Sequence, residues 1–198
     1  MIEPRLFPPA SWFREIASCP VVIRPLDSRW NKREKNTHRY AIADVNGRIE
    51  LTVPVMKPES LSRCTLSDIR LSTHGNWWHV HRVTLESGYG RTPFFEHYFP
   101  KLEIFFSAEV VETYPFLWQY LLATTQTVAD ILQMETRFAA GMARNSVNLQ
   151  NGCEIKTQRP EESYWQVRHD KLGFIDGLSI LDLIFNIGPE ACFHISQR

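Results

Sequence analysis

The stretch YAIADVNGRIELTVPV, residues 40–55, contains the clearest fold signal in the chain. Asn46-Gly47 is a strong turn signal for a β-hairpin when apolar runs flank it. After this turn, apolar residues alternate with other residues, at Ile49, Leu51, Val53 and Val55. Such alternation places one face of a strand in the core. Pro54 cannot donate a ladder hydrogen bond, so the pattern predicts that the strand ends there or lies at an edge.

Outward from this hairpin, the β signals continue weakly and helical patterns follow. The β-branched residues 21–23 predict a buried strand, and residues 69–71 a short one. A helix is predicted over residues 77–88, a second over 94–105 interrupted by Pro100, and the longest from Pro115 to about Glu135. An apolar helix over residues 178–185 is expected to stop at Gly188-Pro189. The polar residues 145–162 are interpreted as a surface loop.

These elements predict a mixed α+β fold. We expect a small, partly antiparallel sheet from the N-terminal half, covered by helices mainly from the C-terminal half. The chain has 198 residues, which suits one domain over residues 1–198. Its formal net charge is zero, and a neutral chain lacks the field that attracts nucleic acid.

The chain shows no export or membrane signal. Its first residues lack a basic region followed by an apolar run, and no stretch reaches the roughly 20 apolar residues that span a bilayer. The four cysteines are far apart with no C-x-x-C pair, so we expect small buried thiols and not a disulfide scaffold. These observations predict a cytoplasmic protein without a transmembrane segment. The oligomeric state stays open.

The segment HGNWWHVH, residues 74–81, is the richest in chemistry. His79 and His81 could bind zinc from a strand, but on a helix their rings diverge by about 200°. No cysteine or carboxylate stands nearby at ligand spacing, so we expect no metal. Motifs for nucleotide phosphates, dinucleotides and serine or zinc hydrolases are absent from the sequence, so we expect no cofactor.

His81 is the candidate catalytic residue, because a histidine can exchange protons near neutral pH. Arg39 would contact an anion, and further contacts to the substrate would come from the aromatic residues Trp77, Tyr89 and Tyr98. On one helix, His81 and Tyr89 would lie about 12 Å apart at 1.5 Å per residue. The alternative is that His81 is a core residue bonded to a backbone carbonyl and that Arg39 forms a surface salt bridge. Asp182 and Asn186, one helical turn apart, are expected to hydrogen-bond backbone or a preceding loop.

Several segments in this order resemble the WbqC-like protein family. They are LFPPASWF at residues 6–13, LTVPV at 51–55, Trp77 through His81 to Tyr89, RTPFFEHY at 91–98, YWQV at 164–167, Gly173-Phe174 and LSILDLIFNIGP at 178–189. The resemblance places the family's histidine at His81, its arginine at Arg39 and its tyrosines at Tyr89 and Tyr98. Such proteins are associated with gene clusters for bacterial surface polysaccharide, including O-antigen.

The leading hypothesis is an enzyme of the transferase type that modifies a nucleotide-linked or lipid-linked sugar. The second hypothesis is a non-catalytic protein that holds a glycan intermediate or a partner enzyme in the same pocket. The third is a nucleic-acid binder using the basic residues 32–39, which the neutral net charge disfavours.

Overall fold

The computed structural model describes residues 5–17, 19, 21–27, 29–31, 33–56, 64–141 and 162–196, and its helices and strands confirm the α+β class. The helices are α1 (Ala10–Ile16), α2 (Trp77–Tyr89), α3 (Phe95–Leu102), α4 (Val110–Thr113), α5 (Leu117–Ile131), α6 (His169–Leu172), α7 (Ile180–Ile187) and α8 (Glu190–Ser196). The strands are β1 (Val21–Pro25), β2 (Arg39–Asp44), β3 (Gly47–Thr52), β4 (Val55–Met56), β5 (Arg70–Leu71) and β6 (Arg137–Gly141).

The predicted hairpin is formed by β2 and β3, which pair antiparallel with Asp44 opposite Gly47. The two connecting residues are therefore Val45 and Asn46. Gly47 itself takes the positive φ of 113°, which glycine adopts without a steric penalty. Pro54 ends β3 as predicted, and the chain continues directly into β4.

The described strands form three separate pairs instead of one sheet. Beside the hairpin, β4 pairs antiparallel with β5, and β1 pairs parallel with β6. The partner strand β6 comes from the second half of the chain, where the sequence predicted no strand. A parallel pair requires a long crossover, so its two strands are far apart in sequence and no local pattern joins them.

Helix α2 lies across the hairpin. Its buried side carries Trp77, His81, Leu85, Gly88 and Tyr89. A Cβ atom at Gly88 would stand 3.0 Å from the carbonyl oxygen of Ala43, so the lack of a side chain lets α2 approach β2 closely. The helix predicted over residues 77–88 is thus confirmed, and its apolar stripe faces the strands.

The remaining predicted helices are present with shifted ends. Pro100 does not abolish α3, but the chain tightens after Leu102 into a 3-10 turn at Glu103–Phe106. The apolar C-terminal helix is α7, which ends at Gly188 as expected, and α8 follows it. The predicted loop at residues 145–162 lies outside the described residues except for Glu162. Buried residues from Leu6 to Ile195 pack in one core cluster.

One expectation about the cysteines is wrong. Cys19 is disulfide-bonded, whereas Cys64 and Cys192 form no disulfide. The sequence offered no pairing signal for Cys19, because its neighbours in the chain contain no second cysteine. Among the helices described, none combines the length and apolar character needed to cross a membrane.

Candidate functional site

His81 is held in the core by two hydrogen bonds. Its Nδ1 lies 3.1 Å from the hydroxyl of Tyr40, and its Nε2 lies 3.2 Å from the carbonyl oxygen of Thr52. A carbonyl can only accept, so Nε2 carries the proton and donates, while Nδ1 accepts from the Tyr40 hydroxyl. Both ring nitrogens are therefore occupied by the protein itself.

Burial also fixes the protonation state of His81. Only 2% of the residue is exposed, and desolvation lowers its pKa from 6.5 to about 4, against the opposing effect of the bond to Thr52. The imidazole is neutral at physiological pH. The rings of Trp77 and Tyr40 pack edge-on against it, with centroids at 5.4 Å and 5.5 Å. This geometry is that of a core histidine, one of the two roles considered for it.

Trp77 and Tyr89, the aromatic candidates on α2, are also buried. The indole Nε1 of Trp77 donates to the carbonyl oxygen of Ser72 at 2.8 Å. The hydroxyl of Tyr89 accepts from the backbone N–H of Ala43 at 2.9 Å, at the edge of β2 that β3 leaves unpaired. Trp77 thus lies in ring contact with His81, while Tyr89 faces the hairpin two turns further along.

Tyr98 and Arg39 lie on other elements. Tyr98 is on α3, 6% exposed, and Lys101 stands over its ring at 5.2 Å. Arg39 begins β2, and its Nη1 lies 3.6 Å from Glu50 Oε2. Successive side chains on a strand point to opposite faces, and Tyr40 points toward His81, so Arg39 points away from it. The five candidates are not gathered in one open cavity.

An open groove of about 600 Å³ lies on the opposite, solvent side of α2. One wall is α2 itself, with Trp78, His79 and Arg82. The other is the end of α3 and the 3-10 turn after it. The groove is lined by Trp78, His79, Arg82, Pro100, Glu103, Ile104, Phe106, Ser107, Ala108 and Glu109. His81 is not in this lining, since residues 79 and 81 diverge around the helix.

The groove combines an apolar floor with ionic groups. Arg82 Nη1 lies 2.8 Å from Glu103 Oε1, and Arg82 Nε donates to Glu86 Oε1 at 2.9 Å. These two contacts raise the pKa of Arg82. The neighbouring Ser107 side chain and the residue's own backbone N–H lower the pKa of Glu109, an exposed carboxylate.

Trp78 forms the aromatic part of the floor. Its ring is half-buried and meets the ring of Trp77 edge-on, with centroids 5.9 Å apart. Trp77 is in turn fixed by its bond to Ser72. The Trp78 ring is therefore packed against the core, which limits its freedom before any ligand arrives.

Asp182 and Asn186 bind the segment that precedes α6, as expected for a structural role. Asp182 Oδ2 accepts from the Tyr164 hydroxyl at 2.7 Å and from Gln166 Nε2 at 3.0 Å. Asn186 Oδ1 accepts from the backbone N–H of Val167 at 2.9 Å. Burial raises the pKa of Asp182, and its hydrogen-bond donors partly offset that rise.

Sequence reasoning missed most of the groove. Trp78 and Arg82 are one helical turn apart, so the α2 pattern could have placed them together on the outer face. Glu103 and Glu109 gave no such signal, because only the tight turn after Pro100 brings them opposite α2. Within the described part of the chain, no three His, Cys, Asp or Glu side chains cluster closely enough to hold a metal ion.

The fold and the groove together define the class of this protein. It is an α+β protein in which helix α2 packs on the hairpin with one side and lines an open groove of aromatic and ionic residues with the other. The chain belongs to the WbqC-like protein family, whose sequence model matches residues 3–148. This match contains the hairpin, α2 and all the groove residues. Comparisons with curated proteins and with solved structures gave no match.

Proposed function

We propose that the protein binds a sugar intermediate of bacterial surface-polysaccharide synthesis in the groove beside α2. The observation that carries this proposal is the position of the Trp78 ring next to paired ionic groups in one open groove. Sugar rings have apolar faces that pack on aromatic rings, and hydroxyl edges that hydrogen-bond charged side chains. The proposed pathway is supported by the family resemblance, and the proposed ligand class is supported by the residues of the groove.

The size of the groove suits this ligand. Small-molecule sites are usually clefts of about 300–1,000 Å³ with apolar walls and a few polar groups, and this groove has about 600 Å³. Trp78 and Ile104 supply apolar surface, while Arg82 and Glu103 supply donors and acceptors. Because the core limits the freedom of the Trp78 ring, little conformational entropy is lost on binding.

A transferase reaction fits this protein best if the groove holds the acceptor sugar. Glu103 and Glu109 place carboxylates on its wall, and His79 adds an exposed imidazole. These are the residue types that serve as general acids and bases. His81, whose nitrogens are both occupied, would then support the groove from the core and leave proton transfer to these exposed groups.

The binding proposal is tested by saturation-transfer NMR with methyl glycosides of glucose, galactose, N-acetylglucosamine and rhamnose. We expect at least one to receive saturation through its ring protons, and Trp78→Ala to abolish the effect. Trp165→Ala is the matched control, because Trp165 is 53% exposed and outside the groove lining. Ile104→Arg is a second variant, for use if Trp78→Ala fails to fold. Its long side chain would fill the groove from an exposed position and should also abolish the effect.

The proposal is wrong if no glycoside gives a signal with the folded protein, or if Trp165→Ala removes the signal as completely as Trp78→Ala. Transfer is tested separately. The protein is incubated with UDP-N-acetylglucosamine and each glycoside, and mass spectrometry looks for the disaccharide. A product that Glu109→Gln abolishes supports an enzyme, whereas binding without a product supports the non-catalytic alternative.

A further inference from the structure

The cation of the groove is already neutralised by the protein. Arg82 lies between two carboxylates, Glu103 at 2.8 Å and Glu86 at 2.9 Å. Its guanidinium also stands over the Phe99 ring, 5.9 Å from the centroid. These contacts occupy the Nε–H and one N–H of Nη1, and they place two carboxylates beside the guanidinium. An incoming anion would have to displace a carboxylate or accept a position beside it.

The remaining ionic groups of the lining add negative charge. The lining contains one arginine and two glutamates, Glu103 and Glu109. The neighbouring Ser107 side chain lowers the pKa of Glu109, so this carboxylate is charged at neutral pH. Glu86 contributes a further carboxylate at the far side of Arg82. An anion in the groove therefore meets more negative than positive charge, and like charges placed together oppose binding.

We infer that the groove selects an uncharged sugar ring and excludes phosphorylated sugars. This inference rests on the proposed sugar-binding function and specifies its ligand. The apolar floor of Trp78, Pro100 and Ile104 packs against the ring, and the carboxylates accept hydrogen bonds from its hydroxyls. Carboxylates are acceptors only, so they suit hydroxyl donors and disfavour a phosphate, which at neutral pH offers mainly acceptors.

A consequence concerns the phosphate of a nucleotide-linked or lipid-linked donor. That phosphate lies outside the groove. The groove then receives either a sugar of the donor that is distant from the phosphate or the acceptor sugar. Arg82 serves as a rigid hydrogen-bond donor and as the link between its two carboxylates. Its charge is not free to form a phosphate contact.

The test compares each methyl glycoside that binds with the corresponding sugar 1-phosphate, using dissociation constants from NMR titration. We expect the 1-phosphate to bind at least about tenfold more weakly, which corresponds to about 1.4 kcal/mol. Glu103→Gln removes one negative charge and leaves Arg82 paired with Glu86 alone. In this variant we expect the ratio of the two dissociation constants to fall by at least about threefold, because the 1-phosphate binds more tightly.

Glu135→Gln is the matched control, because it makes the same change of charge at an exposed residue outside the lining. It should leave the ratio of the two dissociation constants unchanged. Equal or tighter binding of the 1-phosphate to the unaltered protein overturns the inference, while Trp78-dependent sugar binding survives. An unchanged ratio in Glu103→Gln also overturns it. If neither ligand binds, the proposed function itself fails.

Discussion

The hydroxyl of Tyr40 and the Nδ1 atom of His81 lie 3.1 Å apart in the core, although 41 positions separate the two residues in the chain. This bond joins β2 to α2. The second bond of His81, to the Thr52 carbonyl, joins the same helix to β3. His81 thus fastens one helix to both strands of the hairpin, at a buried position where desolvation disfavours the charged ring.

Stability should therefore fall as the solution becomes acidic. The folded-state pKa of His81 is about 4, against 6.5 for an exposed histidine, so the unfolded chain binds a proton more readily. Above pH 6.5 both states are neutral, and stability is lost as the pH falls from 6.5 to 4. We expect a contribution of about 3 kcal/mol over this window, measured by urea unfolding at a series of pH values.

His81→Phe should flatten the pH dependence in this window. It should also lower stability at pH 7.5, because the Tyr40 hydroxyl and the Thr52 carbonyl lose their partner. His79→Gln is the control, since His79 is exposed on the same helix and should leave the acid-dependent loss intact. A pH profile that is the same in His81→Phe and in the unaltered protein contradicts this account.

The hydroxyl of Tyr89 should add to the stability that its buried ring provides, through its bond to Ala43 and its interaction with Asp182. This hydroxyl accepts from the N–H of Ala43, which β3 does not reach, and the ring is fully buried. Tyr89→Phe leaves that N–H buried without an acceptor, at a cost of about 1–3 kcal/mol. We expect a lower urea midpoint with an unchanged slope. Tyr98→Phe is the comparison, and a loss as large as that of Tyr89→Phe would contradict the special role of the bond to Ala43.

The sequence predicted those parts of the structure that depend on local spacing. The Asn46-Gly47 signal predicted the hairpin, and the spacing of Trp77, His81 and Leu85 predicted both α2 and its buried side. The sequence could not predict that His81 would contact Tyr40 and Thr52, because these contacts depend on how α2 crosses the hairpin. The groove depends on the turn after Pro100, which brings Glu103 to Arg82 across two elements.

Asp182 should stabilise the fold mainly as an acceptor. Tyr164 and Gln166 both donate to its Oδ2 atom, so Asp182→Ala removes the acceptor of both bonds and should lower the free energy of unfolding by about 1–3 kcal/mol. Asp182→Asn keeps one acceptor oxygen, and we expect a smaller drop in melting temperature. Asp170→Ala, at an exposed position of α6, should have little effect. Unchanged stability in Asp182→Ala, with sugar binding lost, would instead indicate a functional role.

Gly188 should be difficult to replace at the end of α7. Its φ is +53°, and a Cβ atom there would overlap Cγ of the Phe94 ring. Phe94 cannot withdraw freely, because its backbone N–H donates to the carbonyl oxygen of Phe185 at 3.2 Å. Gly188→Ala therefore combines an unfavourable backbone conformation with a steric clash.

Gly173 separates these two causes. Its φ is +68°, and a Cβ atom there would meet no described atom within 4 Å. Gly173→Ala should cost about 1–3 kcal/mol for the backbone conformation alone. Gly188→Ala should cost about 1–3 kcal/mol more, the usual penalty of overpacking. Both losses are measured by urea unfolding at pH 7.5. Equal losses would mean that the Phe94 ring moves aside at no cost, and the packing of α7 against Phe94 would then contribute nothing to the difference.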